Sequence, residues 1–367
     1  SPHINENNIE KRWKTSVGNG YSGPTLYEGK VYLTDKPDNE TERVVCFDEQ
    51  SGEMLWEHKY RCVYSIGYPN GPRASVIIKN NKAYSLGAMG NLYCFNANNG
   101  DVIWEKKLNE EYNIRMPIWG ISAAPLIYKN LLILQIGGSN NSCVVALDRI
   151  TGKKAWNALD DKASYSPPKL IKQAGKDVVV VWTGEAINAL DPEKGTLHWS
   201  VNFKQKMEMA ISDPVVFGNR LFVSSFFDGS MMLELGENQL TADTLWYRAG
   251  KNERMTDALH CCINTPIMNE NNIFGVCSYG QLRCLDASNG DRIWVDTTVV
   301  TKNRWANVHF IKNGEYEWMF NEEGQLITAE FKEKGYHEIG RVKIIEPTTG
   351  QLNRKGKGVT WAFPAFA

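Results

Sequence analysis

The sequence has no apolar run approaching 18 residues, so it carries no helix able to cross a membrane. It has almost no net charge: 41 basic residues against 42 acidic ones give −1. No global field therefore draws it to nucleic acid or to an anionic membrane surface. Its eight cysteines include no CxxC pair, which argues against a structural zinc site. Histidine is scarce, with six in 367 residues. No Ser-His-Asp order, phosphate-cradling glycine loop or helical histidine pair is present. Nor is there a basic–aromatic strip suited to nucleic acid. The chain begins at Ser1 without Met, and the expectation is that a signal segment or a tag was removed.

Aromatic residues, by contrast, are abundant: 12 Trp and 15 Tyr. Five of the Trp belong to one repeated pattern. Asp48, Gly52 and Trp56 set a spacing of i, i+4 and i+8. Asn96, Gly100 and Trp104 repeat it, as do Asp148, Gly152 and Trp156, Asp191, Gly195 and Trp199, and Asp286, Gly290 and Trp294. Each copy follows a short apolar run such as Val45-Cys46-Phe47. The pattern predicts a strand ending at the acid or amide, whose side chain accepts from turn N–H groups. Glycine supplies a positive φ, and the returning strand brings a Trp large enough to fill the gap between sheets. Trp56, Trp104, Trp156 and Trp199 lie 48, 52 and 43 residues apart. A period of that size means propeller blades or a solenoid.

Each repeat opens with a short segment, often containing Pro, such as Gly23-Pro24-Thr25, Ala124-Pro125-Leu126 and Thr265-Pro266-Ile267. Pro inside a strand belongs at a sheet edge, which suits the innermost strand of a blade. Turn pairs such as Glu28-Gly29 and Asn80-Asn81 then lead to a second apolar strand. Four strands per repeat predict an all-β fold, a β-propeller of four-stranded blades. The predicted blades run 23–60, 73–109, 122–159, 166–203, 212–250, 264–298 and 307–345. The fifth replaces its glycine turn with Glu237-Asn238-Gln239-Leu240-Thr241. The seventh keeps Asn321-Glu322-Glu323-Gly324-Gln325 and loses the Trp. An eighth, split blade is expected from 360–367 pairing with 11–17, with seven blades as the alternative. Its middle strands are absent, so either the natural chain continues past Ala367 or this blade is incomplete. The whole is read as a single domain, 1–367.

In its Leu-Asp-x-x-x-Gly-x-x-x-Trp pattern the chain resembles the pyrroloquinoline-quinone repeat superfamily from Trp13 to Phe366. It is similar to the β-propeller lipoproteins of the outer-membrane β-barrel assembly machine, and more distantly to quinoprotein dehydrogenases. The first resemblance implies an exported protein, periplasmic or outer-membrane associated, with an envelope protein as partner. The second implies a quinone and calcium, a catalytic Asp and, in some members, an adjacent-cysteine disulfide. Cys261-Cys262 matches only that last feature. No Glu/Asn calcium set or catalytic Asp aligns here, so no cofactor is expected. On residue chemistry alone, Cys261 and Cys262 read as ordinary strand-edge residues, with a vicinal disulfide as the alternative. Cys46, Cys94, Cys143, Cys277 and Cys284 read as small buried apolar residues.

In a propeller the loops before the inner strands cluster around one mouth. Here they hold Tyr21, Tyr68, Arg73, Arg115, Trp119, Tyr165, Arg254, Arg304, Trp305 and Trp361. The blade-two loop runs from Tyr64 through Pro69 to Arg73. Aromatic faces stack on flat ligands, and Arg forks bind carboxylates or sulfates. These residues form the expected ligand-binding set, the ligand being an anionic or polyhydroxylated carbohydrate or other small molecule. Asp161, Asp213 and Asp257 are the candidate partners for the cations. His260 is the candidate acid–base residue should the site be a lyase or hydrolase. A protein–protein scaffold in envelope assembly is the other alternative. No metal site, nucleic-acid partner or membrane span is expected.

Overall fold

The computed structural model describes residues 3–68, 70–332, 334–348, 350 and 357–366. Ser1, Pro69 and Ala367, named above, lie outside the described residues. Seven four-stranded antiparallel sheets are present among the described residues, each with its strands in sequence order. The protein is a β-propeller of such blades, spanning 25–61, 77–107, 126–158, 169–202, 215–248, 267–296 and 308–343. Neither 11–17 nor the described part of 360–367 falls in a strand.

The first strand of a blade is short, as in Thr25–Tyr27 and Ile77–Lys79. It turns back at once through residues of positive φ, Glu28 and Gly29 in blade one and Asn80 and Asn81 in blade two. This is the primed hairpin geometry that matches strand twist. The third strand of blade one, Thr41–Asp48, ends in the repeated turn. There Asp48 Oδ1 accepts from the N–H groups of Gln50 and Ser51, at 3.0 and 2.8 Å. Asp148 and Asp286 also accept from N–H groups in their own turns. A register shift follows in every blade before the outer strand regains its pairing. It sets each Trp opposite a small or flexible side chain: Cys46 faces Trp56, Cys94 faces Trp104 and Cys284 faces Trp294. Burial pushes the thiol of Cys46 up to about 11 and that of Cys284 up to about 12. These cysteines stay protonated and act as packing groups.

Each of these indoles reaches the next blade. Trp56 Nε1 donates to Ala97 O, Trp104 to Arg149 O, Trp156 to Pro192 O and Trp246 to Ala287 O. The acceptor is always the residue after the Asp or Asn. The ring covers the turn glycine: a Cβ on Gly100 would meet Trp56 at 2.7 Å, and φ there is +77°. Trp13 makes the same contact with blade one, bonding Glu49 O at 2.8 Å over Gly52. Trp294 bonds Lys332 O and packs on Phe331, and no ring covers the glycine beside that turn, Gly335. One sequence expectation is corrected. Asn321 to Gly324 joins the second and third strands of blade seven, Tyr316–Asn321 and Gln325–Lys332, rather than the third and fourth. Its glycine comes at i+3, one residue too early for the repeat.

Two compact units divide the described chain. The larger comprises 11–172, 176–208 and 362–367 and holds blades one to four. Its cores are built from strand residues such as Tyr84, Leu92, Leu132 and Val145, all fully buried. The smaller comprises 1–10, 173–175 and 209–361 and holds blades five to seven. Its cores centre on residues such as Phe222, Met232 and Leu285, and Val308 and Met319. Burying each such side chain contributes about 1.5–3 kcal/mol.

Candidate functional site

In the larger unit the loops before the inner strands touch one another. Tyr21 N donates to Pro72 O at 2.9 Å. Gly71 packs so closely on Asn19 that a Cβ would meet its carbonyl at 2.4 Å, which fixes the start of Arg73. Arg73 is half-buried, with its guanidinium 4.9 Å from the Tyr21 ring centre and Nη1 donating to Gly71 O. Tyr68 and Trp119 lie 6.3 Å apart, and Trp119 and Tyr165 5.3 Å apart. Five predicted residues gather here, Tyr21 with Arg73 and Tyr68 with Trp119 and Tyr165, and the Arg73 charge acts on the Tyr165 phenol to join the two groups in one cluster. Three aliphatic side chains on loops of this unit are exposed: Val63 (57%), Ile118 (50%) and Met207 (39%). Arg115 is turned elsewhere, bonding the carbonyls of Asp160 and Asp161 and lying 3.6 Å from the Asp160 carboxylate.

Behind Arg73 is a buried polar group that sequence reasoning missed. Glu42 is fully buried and accepts from the hydroxyls of Tyr60 and Tyr64. Lys36, also buried, bonds Cys62 O and lies 4.6 Å from the Tyr64 ring. Burial, with the Glu42 charge adding to it, raises the Tyr64 phenol far above its ordinary range. Burial disfavours the charge on Arg73 and lowers its pKa. Nothing in the sequence flagged Glu42.

In the smaller unit Arg304 is held in a fork by Glu253, Nε to Oε1 at 2.7 Å and Nη2 to Oε2 at 2.6 Å. Its guanidinium stacks on Trp305 at 4.3 Å and lies 5.5 Å from Phe226. Tyr279 donates to Glu253 and accepts from Arg254 Nε. Burial works against the charge on Glu253, yet the Arg304 fork and the Tyr279 hydroxyl hold its carboxyl below the usual range. Trp361 Nε1 donates to Glu322, and its carbonyl lies 3.0 Å from His309 Nε2. Asp257 pairs with Arg248, a strand residue, and Asp161 accepts from Thr183 and Asn188. The carboxylates that do meet the predicted cations are Asp160 and Glu253.

His260 is fully buried. Its Nε2 accepts from Gly250 N–H at 3.1 Å, so Nδ1 carries the proton and donates to Phe226 O at 3.1 Å. Burial lowers its pKa. Both nitrogens are committed to backbone, which makes the residue a fastener between loops in this conformation. Cys261 and Cys262 are buried and not joined. Among the described residues no group of three or more His, Cys, Asp or Glu converges as a metal site would require. No described helix is long and apolar enough to cross a membrane.

Blades of four strands, a recurring Asp–Gly–Trp turn and loops gathered before the inner strands define a repeat propeller of the quinone-repeat class. Within that class the chain belongs to the family of the outer membrane protein assembly factor BamB, whose model matches residues 4–172, 40–295 and 169–354. BamB from Moraxella catarrhalis superimposes with a TM-score of 0.62 at 13% identity, covering 92% of each chain. A europium-containing methanol dehydrogenase gives 0.57 at 12% identity, over 90% of this chain and 79% of its own. The quinohemoprotein alcohol dehydrogenase ADHIIG from Pseudomonas putida HK5 gives 0.52 at 12%, over 90% and 67%. No curated protein sequence matches this chain. At these identities the structural likenesses speak to the fold.

Proposed function

We propose that this protein is an assembly scaffold of the cell envelope that docks a polypeptide partner on the entry loops of its larger unit. The observation that carries the reading is the composition of that surface. Val63, Ile118 and Met207 are exposed on the same unit as a Tyr68–Trp119–Tyr165 aromatic group, with Arg73 beside it. Aromatic anchors, exposed aliphatic residues and one arginine are the usual makings of a protein-binding surface. Membership of the assembly-factor family supports the same direction, and with it a periplasmic or outer-membrane-associated location for an exported chain.

Site-directed photo-crosslinking in the native cells tests this. A crosslinker at Ile118 is expected to give one discrete adduct with an envelope protein, and one at Gly175, in a turn on a different edge of blade four, to give none. Equal labelling from both positions, or none from either, sinks the scaffold. The second reading, an anionic or polyhydroxylated carbohydrate on the same cluster, is supported by the Arg73–Tyr21 stack. Carbohydrate lyase or hydrolase chemistry through His260 would need that ring released from Gly250 and Phe226. The scaffold needs no cofactor. A saturable thermal shift with pyrroloquinoline quinone and calcium, absent with either alone, would convert it to an oxidoreductase.

A further inference from the structure

We propose that Arg73 anchors a carboxylate-binding site, completed by the Tyr165 hydroxyl, that takes a carboxylate of the polypeptide partner. The inference rests on the scaffold reading and names the chemistry of its recognition.

Three observations carry it. The first is the arginine itself. Of its five N–H donors, Nη1 is used by Gly71 O, and one face of the guanidinium lies toward Tyr21. The second is Tyr165. It is 5% exposed, and its hydroxyl makes no hydrogen bond to any described residue. Burial pushes the phenol well above its ordinary range; the nearby backbone N–H groups of Trp119 and Ile118 and the Arg73 charge act against that push. A buried hydroxyl without a partner is costly and uncommon, and it points to a group that the protein alone does not supply.

The third is charge balance. Two carboxylates act on this cluster, and each has a cation of its own nearby. Glu42 shares its buried group with Lys36 around Tyr64 and Cys62. Glu208 is ion-paired with Lys162 at 3.0 Å. Arg73 is left as the surplus positive charge in a half-buried, aromatic setting, where burial penalises it. A planar carboxylate answers all three: it takes two parallel N–H bonds from the fork, accepts from the phenol and neutralises the charge. Trp119 and Ile118 would then cover the apolar residue next to that carboxylate.

The test uses the whole chain and four probes, read by tryptophan fluorescence and by ligand-observed NMR. Two are peptides with one carboxylate, N-acetyl-Phe-Gly with a free C-terminus and N-acetyl-Phe-Glu-amide. The others are the neutral N-acetyl-Phe-Gly-amide and methyl glucuronide. At least one acidic peptide is expected to bind with Kd near about 1 mM, as befits so small a ligand. The neutral amide should bind at least about tenfold more weakly. The tighter acidic peptide identifies a chain terminus or an acidic side chain as the source. Arg73→Gln should lose at least about tenfold, and Tyr165→Phe, which keeps the ring packing, about threefold, both with unchanged melting. Equal binding of the neutral peptide, full binding by Arg73→Gln, or tighter binding of the glucuronide would each overturn the proposal. Should carboxylate binding fail while the Ile118 adduct forms, only the carboxylate falls. Should the adduct fail while the peptides bind, only the scaffold does.

Discussion

Arg73 and Arg304 occupy corresponding positions in two blades, each four residues before the first strand, Ile77–Lys79 and Val308–Asn313. Each lies over aromatic rings, Tyr21 for one and Trp305 and Phe226 for the other. They differ in what faces the fork. Arg304 has Glu253 in both of its teeth, a fastening that ties two loops together. Arg73 has one carbonyl and an unbonded phenol near by. The same residue in the same place is a structural tie in one unit and an unspent charge in the other. Sites that bind something else are where a fold leaves such charges.

The largest effect lies in the blade framework of the larger unit, which carries the Arg73 loop. Trp56→Ala removes an indole that is 8% exposed and bonds the next turn, and should cost about 3–5 kcal/mol in urea unfolding. A loss below about 1 kcal/mol would mean that the blades do not depend on the lock. Next comes pH, through His309 in the smaller unit. Burial lowers its pKa to about 4, so the folded ring is neutral while the unfolded one takes up a proton below about 6.5. That stability is fully present above about pH 6.5 and is lost as pH falls towards 4, by about 2–3 kcal/mol. Glu317, raised by burial to about 7, works in the opposite sense over the same range. The difference between wild type and His309→Gln isolates the histidine, since both carry Glu317. A difference that stays flat from pH 7 to 4 breaks the assignment.

The smallest effects address the two arginines directly. Arg304→Gln strands a partly buried Glu253 and should cost about 1–2 kcal/mol, less than a fully buried pair would. Arg73→Gln removes a charge to which no described carboxylate is hydrogen-bonded and should change stability by no more than about 0.5 kcal/mol. Equal losses at both positions would mean that the two arginines do the same structural work.

The propeller was legible because the Asp–Gly–Trp spacing is local. Turn, bulge and indole all lie within nine residues, and each is enforced by backbone chemistry that a sequence displays. The same locality misled at Asn321, where an amide and a glycine one residue too close imitated the repeat. It was also silent on where each indole lands. Trp13 resembled a fragment of a split blade, and the contact that defines it is with Glu49, in the repeated turn of blade one. The candidate site was half legible. Aromatic and basic residues in entry loops could be collected by inspection. Whether a carboxylate waits opposite each Arg could not, because Glu253 and Arg304 come from loops 51 residues apart. Glu42, hidden in a strand, gave no signal that a buried charge sits behind Arg73.

The indole-on-glycine lock has a consequence for ancestry. It is a head-to-tail contact: the tryptophan leaves one side of a blade, and the glycine turn receives on the other. A coding segment for one such blade, copied beside the original, yields a product that already fits at both borders. Lengthening by duplication needs no second change to be viable. Blade seven departs from the pattern: its outer strand, Gly335–Lys343, carries no tryptophan.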